Sequence, residues 1–350
     1  MPLRRERLVT HDGDELLLDH LPGPKRSPRV VVLHGLEGSA YATHVQGLLA
    51  RIKACGWRAT VVNFRSCARD PQRLSRRLPN SRPRLYHAGD TVDFDTAVRF
   101  LMNKEPETRL LGVGFSLGGN VLLKWLGEGP VPVAFKAAVA IAAPFDLGAC
   151  ADHMALPAAR FYSRYFLATL KGKVTELVAR FPELARVVSI ERVNRAKTLR
   201  RFDDLATAPL HGFFNAADYY RRASALGFLH RIQTPTLCLN AYDDPFIPPG
   251  VLARVERRVQ RSTPALGVHF TRCGGHVGFV GGQFPWAAHY WAEATAVDWL
   301  QGQLARDNSR AFLQSLLADE ETRGPQSRAP GSGSHSAGSR RVSTAPGSVG

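Results

Sequence analysis

Short apolar runs alternate with stretches of helical spacing along most of the chain. Arg29–Leu33 (Arg-Val-Val-Val-Leu), Arg58–Asn63, Arg109–Gly114 and Lys136–Ala142 have the length and apolar character of strands buried on both faces. Between them, Tyr41–Cys55, Thr91–Lys104 and Leu117–Leu126 repeat apolar residues at helical spacing, and Gly56 marks a stop after the first. In Thr91–Lys104 the expected buried stripe is Val92, Ala97, Val98 and Leu101. Strand and helix in this rhythm predict a mostly parallel central sheet flanked by helices, an α/β fold. Ahead of it, Arg7–Thr10 and Glu15–Asp19 flank His11-Asp12-Gly13-Asp14, which predicts an opening hairpin within residues 1–27.

The rhythm holds over residues 28–144 and breaks between Phe145 and Arg231. That interval has helical stretches, including Ala158–Leu170 and Val174–Phe181, and no buried strand, so residues 145–231 are expected to form an inserted helical cap. The core resumes over residues 232–306 with Pro235–Asn240 and Gly267–Thr271 as strands and Val251–Gln260 and Trp286–Leu304 as helices. A terminal helix over 307–319 follows. Residues 320–350 are rich in Gly, Ser, Pro and Arg, cannot bury enough surface to offset their ordering entropy, and are expected to be disordered. The segment Cys67–His87, rich in Pro, Arg and Ser, reads as a long surface loop.

Composition narrows the class. At 350 residues and 44% hydrophobic content the chain can bury a sizeable core. No run of about 18 apolar residues exists; the nearest, Val133–Ala143, is broken by Lys136 and stopped by Pro144. The opening Met1-Pro2-Leu3-Arg4-Arg5 lacks the apolar stretch of a secretory signal, so a cytoplasmic location is expected. The five cysteines, Cys55, Cys67, Cys150, Cys238 and Cys273, are odd in number and lack paired spacing, which points to buried free thiols and to neither disulfides nor a zinc site. The net charge of +16 is concentrated in arginines, densest from Arg65 through Arg69, Arg73, Arg76, Arg77, Arg82 and Arg84. Without interleaved aromatics or a helix-turn-helix or finger pattern, these are expected on a solvated loop and no nucleic-acid partner is expected. Peripheral contact with an anionic membrane surface stays open.

Candidate chemistry starts at Gly114-Phe115-Ser116-Leu117-Gly118-Gly119, a Gly-x-Ser-x-Gly turn directly after one expected strand and before one expected helix. Such a turn holds a serine in a strained conformation above a helix amino terminus, where unpaired N–H groups favour an oxyanion. A serine hydroxyl needs a base, and the base an orienting acid, in chain order Ser, acid, His. Cys273-Gly274-Gly275-His276-Val277-Gly278-Phe279 follows a strand and places His276 in a glycine-flanked loop, which makes it the candidate base. Leu239 to Pro248 carries two adjacent carboxylates after another strand. Asp244, four residues before Pro248, is the candidate acid, with Asp243 in reserve and Asp146 as an alternative after the preceding strand. The candidate oxyanion donors are the amides of Leu117 and of Leu36, the latter in His34-Gly35-Leu36-Glu37-Gly38-Ser39. His34 is expected to be structural, and His87, His153 and His211 to be surface or packing residues. Phe161, Tyr162, Tyr165 and Phe166 fit either an acyl pocket or plain core.

Several separated segments together resemble the YheT-like branch of the α/β-hydrolases, the AB hydrolase 4 family. They include His34 to Ser39, Tyr86-His87-Ala88-Gly89-Asp90-Thr91, Gly114 to Asn120, Phe202-Asp203-Asp204 and Thr207-Ala208-Pro209. Gly212-Phe213, Tyr219-Tyr220, Asn240 to Phe246 and Gly274 to Phe279 complete the series, which spans roughly Pro28 to Leu300. In one departure, Ser66 follows Arg65 where relatives usually carry glycine. The resemblance implies an α/β-hydrolase fold and a serine esterase or lipase acting on a small ester or lipid through an acyl-enzyme, with no cofactor or metal. An alcohol acyltransferase using the same three side chains, or a non-catalytic binding protein on the same scaffold, are the competing readings.

Overall fold

The computed structural model of the chain describes residues 1–262, 264–282 and 289–322. The chain divides into two units, Met1–Asp307, which holds the sheet, and Asn308–Gly350.

Eight strands form one sheet: β1 (Arg4–Val9), β2 (Glu15–Leu21), β3 (Arg29–Leu33), β4 (Arg58–Asn63), β5 (Leu110–Phe115), β6 (Phe135–Ile141), β7 (Thr236–Ala241) and β8 (Leu266–Thr271). Their order is β1-β2-β4-β3-β5-β6-β7-β8. β1–β2 and β2–β4 pair antiparallel and all other neighbours pair parallel. Every residue of β3, β4, β5 and β7 is buried, the reason these strands are dominated by apolar residues.

Alternation along each strand divides the core in two. Val31 and Leu33 point to the face covered by α2 (Thr91–Lys104), α3 (Leu117–Glu128) and α10 (Pro249–Ser262). Val30 and Val32 point to the other, where Val45, Leu48, Leu49 and Ile52 of α1 (Thr43–Ala54) meet Ala296, Val297 and Leu300 of α11 (Trp291–Thr322). Each large aliphatic side chain buried this way contributes about 1.5–3 kcal/mol.

Between β6 and β7 lie α4 (Leu147–His153), α5 (Arg160–Arg180), α6 (Ile190–Asn194), α7 (Leu199–Phe202), α8 (Ala208–Leu210) and α9 (Ala216–Ala223), joined by tight turns, with no strand. These helices have an apolar cluster of their own, in which Leu167, Val174 and Leu177 of α5 pack with Val188, Val193 and Phe202. β9 (Val280–Gly281) and β10 (His289–Tyr290) pair as a small ribbon.

Several expectations need correction. The two stretches at Ala158–Leu170 and Val174–Phe181 are one helix, α5. α11 runs unbroken from Trp291 to Thr322, so no separate helix starts at 307, and residues 320–322 are helical. The tail from 323 and the expected helix start at Trp286 lie outside the described residues. Val92 is exposed, and the buried stripe of α2 is Phe94, Ala97, Val98 and Leu101. Nine residues at 100° each set Val92 on the side opposite Leu101. Of the cysteines, Cys273 is exposed and Cys55 half-buried; only Cys67, Cys150 and Cys238 are buried.

In the arginine segment Arg73, Arg76 and Arg82 are exposed as a solvated loop requires, but Arg65 is not. Arg65 has no exposed side-chain surface and forks to Asp93 through Nε and Nη2 at 2.8 and 2.7 Å. Its Nη1 donates to Asp12 and Asp14 at 2.9 and 2.8 Å. Burial opposes this charge, but hydrogen bonds from Arg65 to Asp93 and Asp12 outweigh it and hold the guanidinium above its usual range. The next residue, Ser66, has φ 59°, the left-handed region that glycine adopts without strain.

Candidate active site

Ser116 sits between β5 and α3 at φ 50° and ψ −118°, a strained conformation for a residue with a Cβ. Its N–H donates to the Ile141 carbonyl at 2.8 Å and its carbonyl accepts from Asn120 N–H at 3.1 Å, so both sides of the turn are fixed. Gly118 is required by close approach, since a Cβ there would stand 2.5 Å from the His34 carbonyl oxygen and 2.6 Å from that of Leu33.

His276 arrives on the loop after β8. Its Nε2 lies 2.7 Å from Ser116 Oγ and its Nδ1 2.8 Å from Asp244 Oδ2. Asp244 is 3% exposed, and its other oxygen accepts from Phe246 N–H at 2.8 Å. The neighbouring Asp243 points elsewhere: its Oδ1 accepts from the N–H groups of Gly274 and Gly275 at 2.9 and 2.8 Å, gripping the loop that carries His276. Asp146 caps α4 through Ala149 N–H and pairs with Arg254 at 2.7 Å, and makes no bond to His276. The ring of Phe246 packs 4.2 Å from that of His276, limiting how far the imidazole can turn.

The loop after β3 faces the serine. A Cβ on Gly35 would stand 3.3 Å from Ser116 Cβ. The Glu37 N–H donates to Tyr86 Oη at 2.9 Å and the Gly38 N–H to the Gly35 carbonyl at 3.0 Å, which fixes the far side of this loop. Leu117 opens α3, so its N–H lies ahead of the helical ladder. Both leucines line the cavity over Ser116.

Glu37 holds this loop and was not singled out from sequence. At φ 58° it is itself strained. Its Oε1 accepts from Lys173 Nζ of α5 at 2.7 Å and from Tyr86 Oη at 2.8 Å, and Oε2 pairs with Arg77 at 2.7 Å. Burial raises its carboxyl, but the charges of Lys173 and Arg77 and the hydrogen bonds from Lys173 and Tyr86 together outweigh that and hold it below the usual range. Glu37→Gln leaves Lys173 and Arg77 without their anion, and the loop is expected to relax. Steady-state kinetics should show kcat lowered about 10- to 100-fold, part of the cost of losing one oxyanion donor, with KM nearly unchanged. A change confined to KM would assign Glu37 to substrate binding instead.

The cavity over Ser116 measures about 410 Å³ and is mostly apolar, with Met154, Tyr162, Phe166 and Phe246 in its walls. Phe161 and Tyr165 face solvent, so of the four aromatics expected as pocket or core only Tyr162 and Phe166 reach it. His34 is fully buried; its Nε2 accepts from Phe64 N–H at 3.1 Å, a structural role. His87 and His211 pack edge to face with ring centres 4.6 Å apart.

Burial lowers His34 to about 3, His44 to about 4 and His87 to about 3, with the nearby His276 adding to the effect at His44 and Arg84 at His87. Each ring takes up a proton more readily in the unfolded chain, whose histidines titrate near 6.5. Their stabilisation is complete above that pH and drains away as pH falls toward 4. Asp203, pushed up to about 6 by burial, has the opposite sign: its contribution is present below 3.8 and lost as pH rises through 6, which offsets one of the three rings. The urea midpoint should therefore be lower at about pH 5 than at about pH 7; an equal or higher midpoint at the lower pH would contradict neutral buried rings.

Of the residues singled out from sequence, Ser116, Asp244 and His276 come together by hydrogen bonds, and Leu36 and Leu117 border them. Asp243 and Asp146 are engaged elsewhere. Among the described residues no cluster of His, Cys, Asp or Glu has the makings of a metal site, and no helix is long and apolar enough to cross a membrane.

Residues 28–283 match the family described as alpha/beta hydrolase fold. The chain is 36% identical over 298 residues to "Putative esterase YheT" of Escherichia coli (strain K12), covering 84% of each chain. It is 27% identical over 300 residues to the Homo sapiens protein named Phospholipase ABHD3, covering 82% of this chain and 69% of that one. Among solved structures, the Pyrococcus furiosus esterase Pf2001 superposes with a TM-score of 0.51 over 79% of this chain and 85% of that one. At 16% identity that is a likeness of fold. By sequence and by architecture, the chain belongs to the α/β-hydrolase fold family, in the branch of YheT.

Proposed function

We propose that this protein hydrolyses carboxylic esters, with Ser116 as nucleophile, His276 as general base and then acid, and Asp244 as the acid that orients it. The supporting observation is one continuous line of hydrogen bonds, Ser116 Oγ to His276 Nε2 at 2.7 Å and His276 Nδ1 to Asp244 Oδ2 at 2.8 Å. The names of YheT as an esterase and ABHD3 as a phospholipase agree with it.

In the reaction, the Ser116 hydroxyl passes its proton to His276 Nε2 while Oγ bonds to the ester carbonyl carbon. The negative charge gathering on the carbonyl oxygen is received by the amides of Leu36 and Leu117, reinforced by the positive end of α3. His276 returns the proton to the leaving alcohol as the C–O bond breaks. Water, deprotonated by the same nitrogen, then bonds to the acyl carbon, and the C–Oγ bond breaks as His276 returns that proton to Ser116 Oγ and the acid leaves. Asp244 keeps Nδ1–H facing itself, so that Nε2 stays free to accept. The helical segment between β6 and β7 acts as the cap, and the apolar cavity beneath it takes the acyl chain of a short- to medium-chain or lipid ester.

A fluorophosphonate probe tests this reading directly. The wild-type protein is expected to be labelled at Ser116, and Ser116→Ala to remain unlabelled in intact-mass spectra. Absence of label on the wild type would favour a binding protein on a hydrolase scaffold. A series of p-nitrophenyl esters of increasing chain length then defines the acyl group.

A further inference from the structure

We infer that the start of α5 is a docking surface for anionic lipid, set at the mouth of the cavity. This rests on the esterase reading only in saying what the docking is for.

Leu156, Phe161 and Tyr165 are 51, 78 and 63% exposed, a concentration of apolar surface that water disfavours and a lipid interface accepts. Tyr162, 44% exposed, belongs both to this patch and to the cavity wall. Its ring packs against Phe161 at 5.9 Å on the outside and Phe246 at 5.0 Å on the inside, and Phe246 packs on His276. An unbroken series of rings thus leads from the exposed patch to the base beside Ser116.

Charge selects the occupant. Arg160 and Arg164 are exposed among these aromatics, and neither pairs with a carboxylate among the described residues. No acidic residue occurs between Asp152 and Glu176. Aromatics flanked by cations with no compensating anion match an interface of acyl chains beneath anionic headgroups. The whole chain carries +16, which would draw it to the same surface and oppose its docking on a second copy of itself.

Co-sedimentation of the full chain with vesicles tests this, using phosphatidylcholine alone and phosphatidylcholine mixed with phosphatidylglycerol. The protein should bind the mixed vesicles and bind the neutral ones weakly. Phe161→Ser with Tyr165→Ser should lower partitioning at least about tenfold. Arg160→Gln with Arg164→Gln should lower it on anionic vesicles by about fivefold per arginine, with little change on neutral ones. Both variants should hydrolyse a soluble short p-nitrophenyl ester at the wild-type rate, which also shows that they fold. Binding that survives both double variants, absence of wild-type binding, or a wild-type dimer that the aromatic variant dissociates would each overturn the assignment. Ser116→Ala should bind vesicles as the wild type does. Vesicle binding without any esterase activity would therefore sink the reading of the site alone, and an active esterase that ignores vesicles would sink the docking surface alone.

Discussion

Ser116→Ala is expected to lower kcat for a short p-nitrophenyl ester by about a million-fold, and His276→Ala by a similar factor. The two side chains act in one proton transfer, so the double variant should be no worse than either single one. Circular dichroism and the urea midpoint should stay close to wild type, because neither side chain is part of the packed core. Asp244→Asn leaves the geometry but favours the wrong imidazole tautomer, a loss of about ten-thousand-fold. Asp243→Asn only loosens the backbone under His276 and is expected to cost about 10- to 100-fold. Initial rates on the four single variants and the double variant decide the assignment. Ser116→Ala or His276→Ala keeping most of its rate, or Asp243→Asn proving the more damaging of the two aspartate variants, would redraw the site.

The largest effect on stability is expected at Arg65. Replaced by leucine, it leaves the buried Asp14 and Asp93 without the cation that neutralises them and Asp12 with Arg84 at 3.4 Å. Removing one partner of a buried ion cluster costs about 3–5 kcal/mol, a large share of the roughly 5–15 kcal/mol that keeps a domain folded. Arg65→Lys keeps the charge but cannot fork to Asp93 and reach the other two carboxylates at once, so its loss should be intermediate. Adding Asp93→Asn to Arg65→Leu removes one unpaired charge and should restore part of the midpoint. Urea unfolding monitored by fluorescence gives all three values; a midpoint for Arg65→Leu equal to wild type would mean that solvent reaches the cluster.

Much of this architecture was legible because its signals are local. A strand buried on both faces is built largely of apolar residues, so β3, β4, β5 and β7 announce themselves within five or six residues through residues 30–33, 61–62, 110–115 and 237–239. The turn at Ser116 and the loop at His276 are short motifs whose glycines and chain order carry the geometry. Asp244 and Asp243 were separable only by a proline four residues on, and the structure divides their partners between a ring and two backbone amides.

What stayed hidden depends on distant pairing. Arg65 meets Asp12 and Asp14 from more than fifty positions away, and the composition of its loop signals exposure. Glu37 and Lys173 are 136 positions apart. Which aromatics of α5 face inward was also unreadable, because apolar residues occur on both its buried and its exposed sides. The serine at position 66 was visible as an anomaly, but its positive φ was not.

The bond between Lys173 and Glu37 limits how this enzyme can open. Lifting α5 away as a hinged lid would separate opposite charges in a dry interior and loosen the turn at Glu37. Rotation of side chains at the rim, where Tyr162 stands, leaves that bond intact. If entry goes that way, branching beside the ester carbonyl should slow turnover more than lengthening the chain.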